Sequence, residues 1–278
     1  MNIFFKYIFI TLIILLNSCN KSNQKVDFIE DTSIDIQMIN AYNDGVKELE
    51  RGDALIAAKK FNEAEILYPQ SKWAPRSALM AAYAYYTQNY FDDSIYELER
   101  FVKTYKNHER EDYAYYLLAL SYYDQIADEK KDLRTIIKAK ENFNIVVEKF
   151  PNTDFALDAE YKLDLIEDIL ASKEMYLARY YIDREKWIPA INRFKIILEN
   201  YDTTIFAEEA LHRLVEIHYK IGLVEESKKY ASMLGYNYQS SEWYEKSYKI
   251  FNKNYNKQLK SKKKNKKSIL KKFKNLLD

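Results

Sequence analysis

Glycine and proline are nearly missing from this chain: four of each in 278 residues. That leaves too few turn formers for a sheet-rich fold, while 47% hydrophobic and 31% charged residues at helical spacing predict an all-α protein. The single cysteine rules out an internal disulfide, so packing must hold the fold. Three histidines, His108, His212 and His218, are too sparse and too badly spaced for a zinc site. His218 stands where other segments carry tyrosine, which reads as a packed core residue. There is no glycine-rich phosphate loop, no Gly-x-Ser-x-Gly and no His-Glu-x-x-His. Helical carboxylates such as Glu97/Glu99 and Asp164/Asp168 read as solvated faces. The chain is read as non-enzymatic, with no cofactor and no metal.

What is present begins at the N-terminus. Lys6, an apolar run over residues 7–16 and the segment Leu16-Asn17-Ser18-Cys19 have the order of a secretory signal peptide, too short to span a membrane. A cysteine directly after the cut resembles the lipobox of bacterial lipoproteins. That resemblance implies acylation of Cys19, and several acyl chains make an anchor stable where one is reversible. Asn17 departs from the small residue usual there. Asn20, in place of an aspartate, favours an outer-membrane destination. Residues 1–18 are then the signal, and residues 19–37 a lipidated, flexible tether.

Charge is distributed unevenly. Residues 253–278 hold eleven lysines and one aspartate, whereas residues 19–252 hold 31 basic against 41 acidic side chains. An acidic body argues against nucleic acid as a partner. In the basic tail, 252–278, Ile269, Leu270, Phe273, Leu276 and Leu277 share one helical face. An interfacial or partner-binding helix and a disordered solubilising tail both fit that pattern.

Between residues 40 and 251 a pattern recurs. Gly45, Ala57, Phe61, Ala64 and Pro69 have tetratricopeptide spacing. Ala82, Tyr85, Ser94 and Leu98 follow, then Leu118, Ala119, Tyr122, Ala139, Phe143 and Pro151. Leu177, Ala178, Tyr181, Ala190 and Phe194 make a fourth unit, and Leu214, Val215, His218, Ser227 and Ala231 a worn fifth. Small residues let paired helices approach, and phenylalanine fills the gap between them. The small residues of the second helices are 37, 45, 51 and 37 apart, so insertions fall around residues 128–133 and before the fourth unit. Residues 155–182 predict one long helix joining repeats 1–3 (38–152) to repeats 4–5 (153–251). The prediction is a tetratricopeptide-type α-solenoid of about five helical hairpins, right-handed, with a concave face. Most of the 26 tyrosines are expected to pack with the hydroxyl at a wet rim.

Several stretches are more specific than repeat spacing. Leu67-Tyr68-Pro69 through Trp73, Ala82-Tyr83-Ala84-Tyr85-Tyr86 with Arg100-Phe101-Val102, Asp112-Tyr113 through Leu120, and Phe150-Pro151-Asn152-Thr153 are four. Tyr180-Tyr181 through Trp187 to Ala190-Ile191-Asn192-Arg193 is the fifth. Together with the lipobox they resemble the BamD (ComL-type) lipoproteins of the outer-membrane β-barrel assembly machine, over roughly residues 38–235.

The resemblance implies that N-terminal repeats receive the C-terminal targeting segment of nascent outer-membrane proteins. By position, Tyr68, Trp73, Tyr83, Tyr86, Arg100 and Tyr113 fall there. An extended segment with an apolar face and a free carboxylate would find stacking surface and positive charge. It also implies that C-terminal repeats dock the barrel subunit, BamA, through Asn192, Arg193 and Lys195. Arg193 would pair across that interface, an intrahelical pair being the alternative. Companion lipoproteins are further partners on this reading. The expected role is a lipid-anchored scaffold on the periplasmic face of the outer membrane. Two other readings stay open: a cell-division, peptidoglycan or pilus-assembly scaffold of the same architecture, and a peptidoglycan-directed enzyme with acids converging in the groove.

Overall fold

The computed structural model describes residues 33–126, 133–239 and 241–252, and all regular structure among them is helical. Five antiparallel hairpins follow one another. The first two are α1 (Ile34–Glu50) with α2 (Ala54–Leu67), and α3 (Trp73–Thr87) with α4 (Phe91–Thr104). The third is α5 (Glu111–Tyr123) with α6 (Arg134–Lys149), the fourth α7 (Asp154–Asp183) with α8 (Trp187–Asn200), and the fifth α9 (Ala207–Lys220) with α10 (Val224–Asn237). An eleventh helix, α11 (Glu242–Phe251), packs across α9 and α10. This is the expected α-solenoid with one more helix at its end. Cys19, the signal, residues 127–132, which hold most of the insertion expected around residues 128–133, and the tail from residue 253 lie outside the described residues. The first helix begins at Ile34, inside the stretch expected to be tether.

The prolines and two of the four glycines stand at helix junctions or in first turns. Pro69 and Pro151 follow α2 and α6, while Pro75 and Pro189 sit in the first turns of α3 and α8, where no intrahelical N–H is needed. Four of the hairpin turns share one left-handed residue: Gly52 (φ 83°), Asn89 (62°), Glu185 (55°) and Gly222 (87°). Each lets the next N–H reach back to the preceding helix, as Asp53 to Glu48, Tyr90 to Tyr85, Lys186 to Tyr181 and Leu223 to His218, at 2.8–3.0 Å. Asp53, Thr153 and Ser241 cap α2, α7 and α11 by accepting the N–H group three residues on.

Four cores run along the array, and each takes in the next hairpin's first helix. Met38, Ala57 and Phe61 of the first hairpin meet Ala81 and Ala84 of α3. Ala82, Leu98 and Phe101 meet Ala114 and Leu118 of α5. Ala139 and Phe143 meet Ala156, Ala159 and Ile166 of α7, and Ala178, Ala190 and Phe194 meet Ala210 and Leu214 of α9. The five small residues of the second helices, Ala57, Ser94, Ala139, Ala190 and Ser227, are all completely buried. No hairpin therefore buries its apolar faces alone, which is why the array is stable only as a stack. The long helix α7 gives its first half to the third core and Met175 and Ala178 to the fourth, joining them rigidly. First helices α3, α5 and α7 also approach one another directly, so they line the inner side of the array.

Candidate functional site

Along α3 the residues Arg76, Leu79, Met80 and Tyr83 recur at helical spacing and form one stripe on the inner face. The α4–α5 connection adds His108, Glu109 and Arg110, α5 adds Tyr113 and α7 adds Phe155, closing a groove of about 530 Å3. Tyr113 stacks on Phe155 with centroids 5.4 Å apart, and Tyr116 lies against the same ring at 5.0 Å. Arg76 lies over Trp73 at 5.1 Å and Tyr42 at 5.5 Å. His108 packs edge-on to Phe101 and accepts the Arg110 N–H at 3.1 Å. Among the described residues no carboxylate is ion-paired to Arg76 or Arg110. Burial, with Tyr83 alongside, pushes the Tyr113 hydroxyl up to about 12 against the pull of Arg110. It stays a neutral phenol at physiological pH. An apolar wall, two guanidiniums against the one carboxylate of Glu109, and a neutral hydroxyl suit an extended peptide carrying an aromatic side chain and a carboxylate.

Of the six residues expected there, Tyr83 and Tyr113 share this groove. Tyr86, one turn along α3, donates to Asp124 at 2.7 Å and bridges the second and third hairpins. Trp73 packs edge-on to Tyr42 beneath Arg76, a half-buried support for the groove. Tyr68 is exposed at the end of α2. Arg100 lies elsewhere, on the second-helix side, where it binds Glu65 and Glu97. The cations of the groove are Arg76 and Arg110, which sequence reasoning passed over. The signal was present: an i, i+3, i+4, i+7 stripe through Arg76 puts it on the same face as Tyr83.

Glu97 is no solvated-face residue. It is only 7% exposed, accepting from Asn62 as well as Arg100, because the second helices bring these groups together across the repeat boundary. Several tyrosine hydroxyls do the same work at this boundary and at others. Tyr105 donates to Glu65, Tyr116 to Asp158 and Tyr122 to Glu99. Burial first, then each carboxylate, raises all three hydroxyls, so they remain donors.

In the C-terminal half, Asn192 and Lys195 are exposed on α8, while Ala190 and Phe194 are buried. Arg193 between them donates to Glu174 on α7 at 3.0 Å, a pair between helices of one hairpin rather than within one helix. Beside it, Arg179 of α7 binds Glu209 of α9, and Arg213 binds both Glu209 and Glu216. His212 and His218 are both buried. His212 meets Ser247 at 2.8 Å, and His218 Nδ1 lies 2.7 Å from the Leu214 carbonyl. Among the described residues no group of three or more His, Cys, Asp or Glu is placed to hold a metal, and no helix is long and apolar enough to cross a membrane.

The sequence matches the family described as "YfiO: Outer membrane lipoprotein" over residues 34–234, the span of the first ten helices. It is similar to the outer membrane protein assembly factor BamD of Caulobacter vibrioides, 39% identical over 213 residues, 77% of this chain and 70% of that protein. BamD of Rickettsia prowazekii is 36% identical over 242 residues, 87% of this chain and 94% of its own length. BamD of Neisseria gonorrhoeae is 30% identical, covering 76% of this chain and 82% of that protein. With a match through every hairpin, and relatives that share most of its length, the chain belongs to the YfiO family of outer membrane lipoproteins.

Proposed function

We propose that this protein is a lipid-anchored periplasmic scaffold of outer-membrane protein assembly, holding nascent barrel proteins through its inner groove and a BamA-type barrel subunit through α8. The names of its relatives, outer membrane protein assembly factors, support the general role. The observation that carries the client-binding part is the groove with Tyr83, Tyr113 and Phe155 beside two arginines, Arg76 and Arg110, against a single lining carboxylate, Glu109, among the described residues. A peptide ending in an aromatic residue places ring and terminal carboxylate a few ångströms apart, matching that arrangement. In this reading Arg76 and Arg110 take the carboxylate role expected of Arg100. Trp73 sets the position of Arg76, and Tyr68 and Tyr86 extend the aromatic surface along the same hairpins.

For the barrel subunit, Asn192, Arg193 and Lys195 supply an exposed polar and cationic strip on a rigid hairpin. Lipidation at Cys19 would keep both surfaces at the membrane, where insertion occurs. The direct test is fluorescence anisotropy of a labelled peptide ending in phenylalanine, as the free acid and as the amide. The acid should bind about tenfold more tightly, and Arg76→Glu with Arg110→Glu should remove that difference. Equal binding of acid and amide would overturn the assignment of the groove.

A further inference from the structure

The fifth hairpin breaks the pattern that fills the other four. Four residues after the small residue of each earlier second helix stands a large apolar side chain: Phe61, Leu98, Phe143 or Phe194. All four are completely buried. At the matching position α10 carries Ala231, which is only half-buried. Beside it runs a groove of about 550 Å3, with Ala231 and Gly235 of α10 on one side and Tyr244, Tyr248 and Phe251 of α11 on the other. The two helices meet closely there, since a Cβ at Gly235 would lie 2.9 Å from the Tyr244 ring. Polar neighbours in the groove are engaged within the fold. Ser247 meets His212 at 2.8 Å, Ser232 donates to the Lys228 carbonyl at 2.9 Å, and the Lys228 ammonium pairs with Glu225. The surface left over is three rings and two small residues.

We propose that the chain's own basic tail folds back over this groove. Residues 269–277 form a short helix whose apolar face, Ile269, Leu270, Phe273, Leu276 and Leu277, lies against Ala231, Gly235 and the three rings. Phe273 supplies from the tail the bulk that phenylalanine or leucine supplies from within in the earlier hairpins. The array then ends on a lysine-bearing surface suited to water, as the end of a solenoid requires.

Position, length, pattern and charge select this occupant. Phe251 lines the groove and the tail starts two residues later. Residues 253–268 can extend over roughly 50 Å, about three times the length of α11, so the chain has ample room to turn back. A helix over residues 269–277 matches α11 to within one residue. Its apolar positions fall at i, i+1, i+4, i+7 and i+8, which is one stripe, with Lys271, Lys272 and Lys274 off it. Glu225, Glu226, Glu242 and Glu245 at the rim are balanced by Lys228, Lys229, Lys246 and Lys249, so the tail lysines meet no excess of positive charge. Over the longer range, 41 acidic against 31 basic side chains in residues 19–252 attract them. A tethered segment also has a high effective concentration, and a modest apolar contact is enough to hold it.

The test is hydrogen exchange on residues 19–278 carrying Cys19→Ala, in buffer without lipid, so that neither acyl chains nor detergent compete for the apolar face. Amides of residues 269–277 should exchange at least about tenfold more slowly than in an isolated peptide of that sequence, and dilution should not change this. Phe273→Asp lies outside the described array. It should abolish that protection and also speed exchange in α10 and α11. Ala231→Phe fills the gap from within and should release the tail while α11 stays protected. Exchange of residues 269–277 at the peptide's rate would overturn the proposal, as would protection that survives Ala231→Phe or a Phe273→Asp variant that leaves α10 and α11 unchanged. Protection seen only with phosphatidylglycerol vesicles would assign the tail to a lipid surface instead, and protection lost on dilution would assign it to a second copy.

Discussion

Arg193 of α8 reaches back to Glu174 of α7, its Nη1 donating to Oε2 at 3.0 Å and to Oε1 at 3.3 Å. The two side chains are 36% and 17% exposed, so the pair is neither free in solvent nor fully desolvated. Such a pair contributes on the order of 1 kcal/mol and fixes the guanidinium in one orientation. A partner meeting α8 finds an arginine already positioned, which lowers the entropy cost of binding.

Arg193→Glu should therefore have two effects that can be separated. Two carboxylates facing each other will lower the unfolding free energy by about 1–2 kcal/mol, read by urea denaturation. Co-purification with a BamA-type subunit should also fall. The exchange Arg193→Glu with Glu174→Arg should recover the stability but not the partner. Recovery of both would mean the pair serves the fold alone.

Two helix-end and helix-interior positions should respond to glycine chemistry with opposite signs. A Cβ at Gly45 would lie 2.8 Å from two atoms of the completely buried Phe61 ring. Gly45→Ala should cost about 1–3 kcal/mol, although alanine is the better helix former by about 1 kcal/mol. Glu185 occupies the left-handed turn position that Gly52 and Gly222 fill elsewhere. Glu185→Gly should stabilise by about 1 kcal/mol. Denaturation midpoints that moved the same way for both would contradict this account of the hairpins.

Much of this architecture was legible because it depends on residue size at fixed intervals. Ala57, Ser94, Ala139, Ala190 and Ser227 could be read from spacing, and all five are buried where helices cross. The long helix α7 was likewise legible from an uninterrupted apolar period. The candidate site was less so. Arg100 and Arg76 both stand near aromatics in sequence, but one belongs to a second helix and the other to a first, which puts them on opposite sides of the array. The burial of Glu97 likewise depends on Arg100 and Asn62, the latter thirty-five residues away, a pairing that local periodicity does not carry.

Cys19→Ala bears on the proposed anchor. Without the thiol there is no acylation, and no described helix could replace a lipid by spanning the bilayer. The variant should move from the membrane fraction to the soluble periplasmic fraction on cell fractionation. Retention in the membrane after a carbonate wash would assign anchoring to another part of the chain.

The end of the array should be the part most sensitive to acid. The bond from His212 holds the Glu216 carboxyl down to about 2, with Arg213 helping and burial opposing. Because the folded value lies below the ordinary one near 4.5, the stabilisation is present above that pH and is lost as pH falls toward 2. Glu216 is 41% exposed, so solvent and salt screen the effect and it will be modest. His212 also contacts Ser247 and stacks on Trp243, so protonating Glu216 loosens the residue that holds α11 against α9. Hydrogen exchange at about pH 3 should accelerate in α11 before the central hairpins. Glu216→Gln should show faster exchange in α11 at neutral pH and converge with the parent protein in acid. Parallel exchange of the two proteins across that range would remove Glu216 from the explanation.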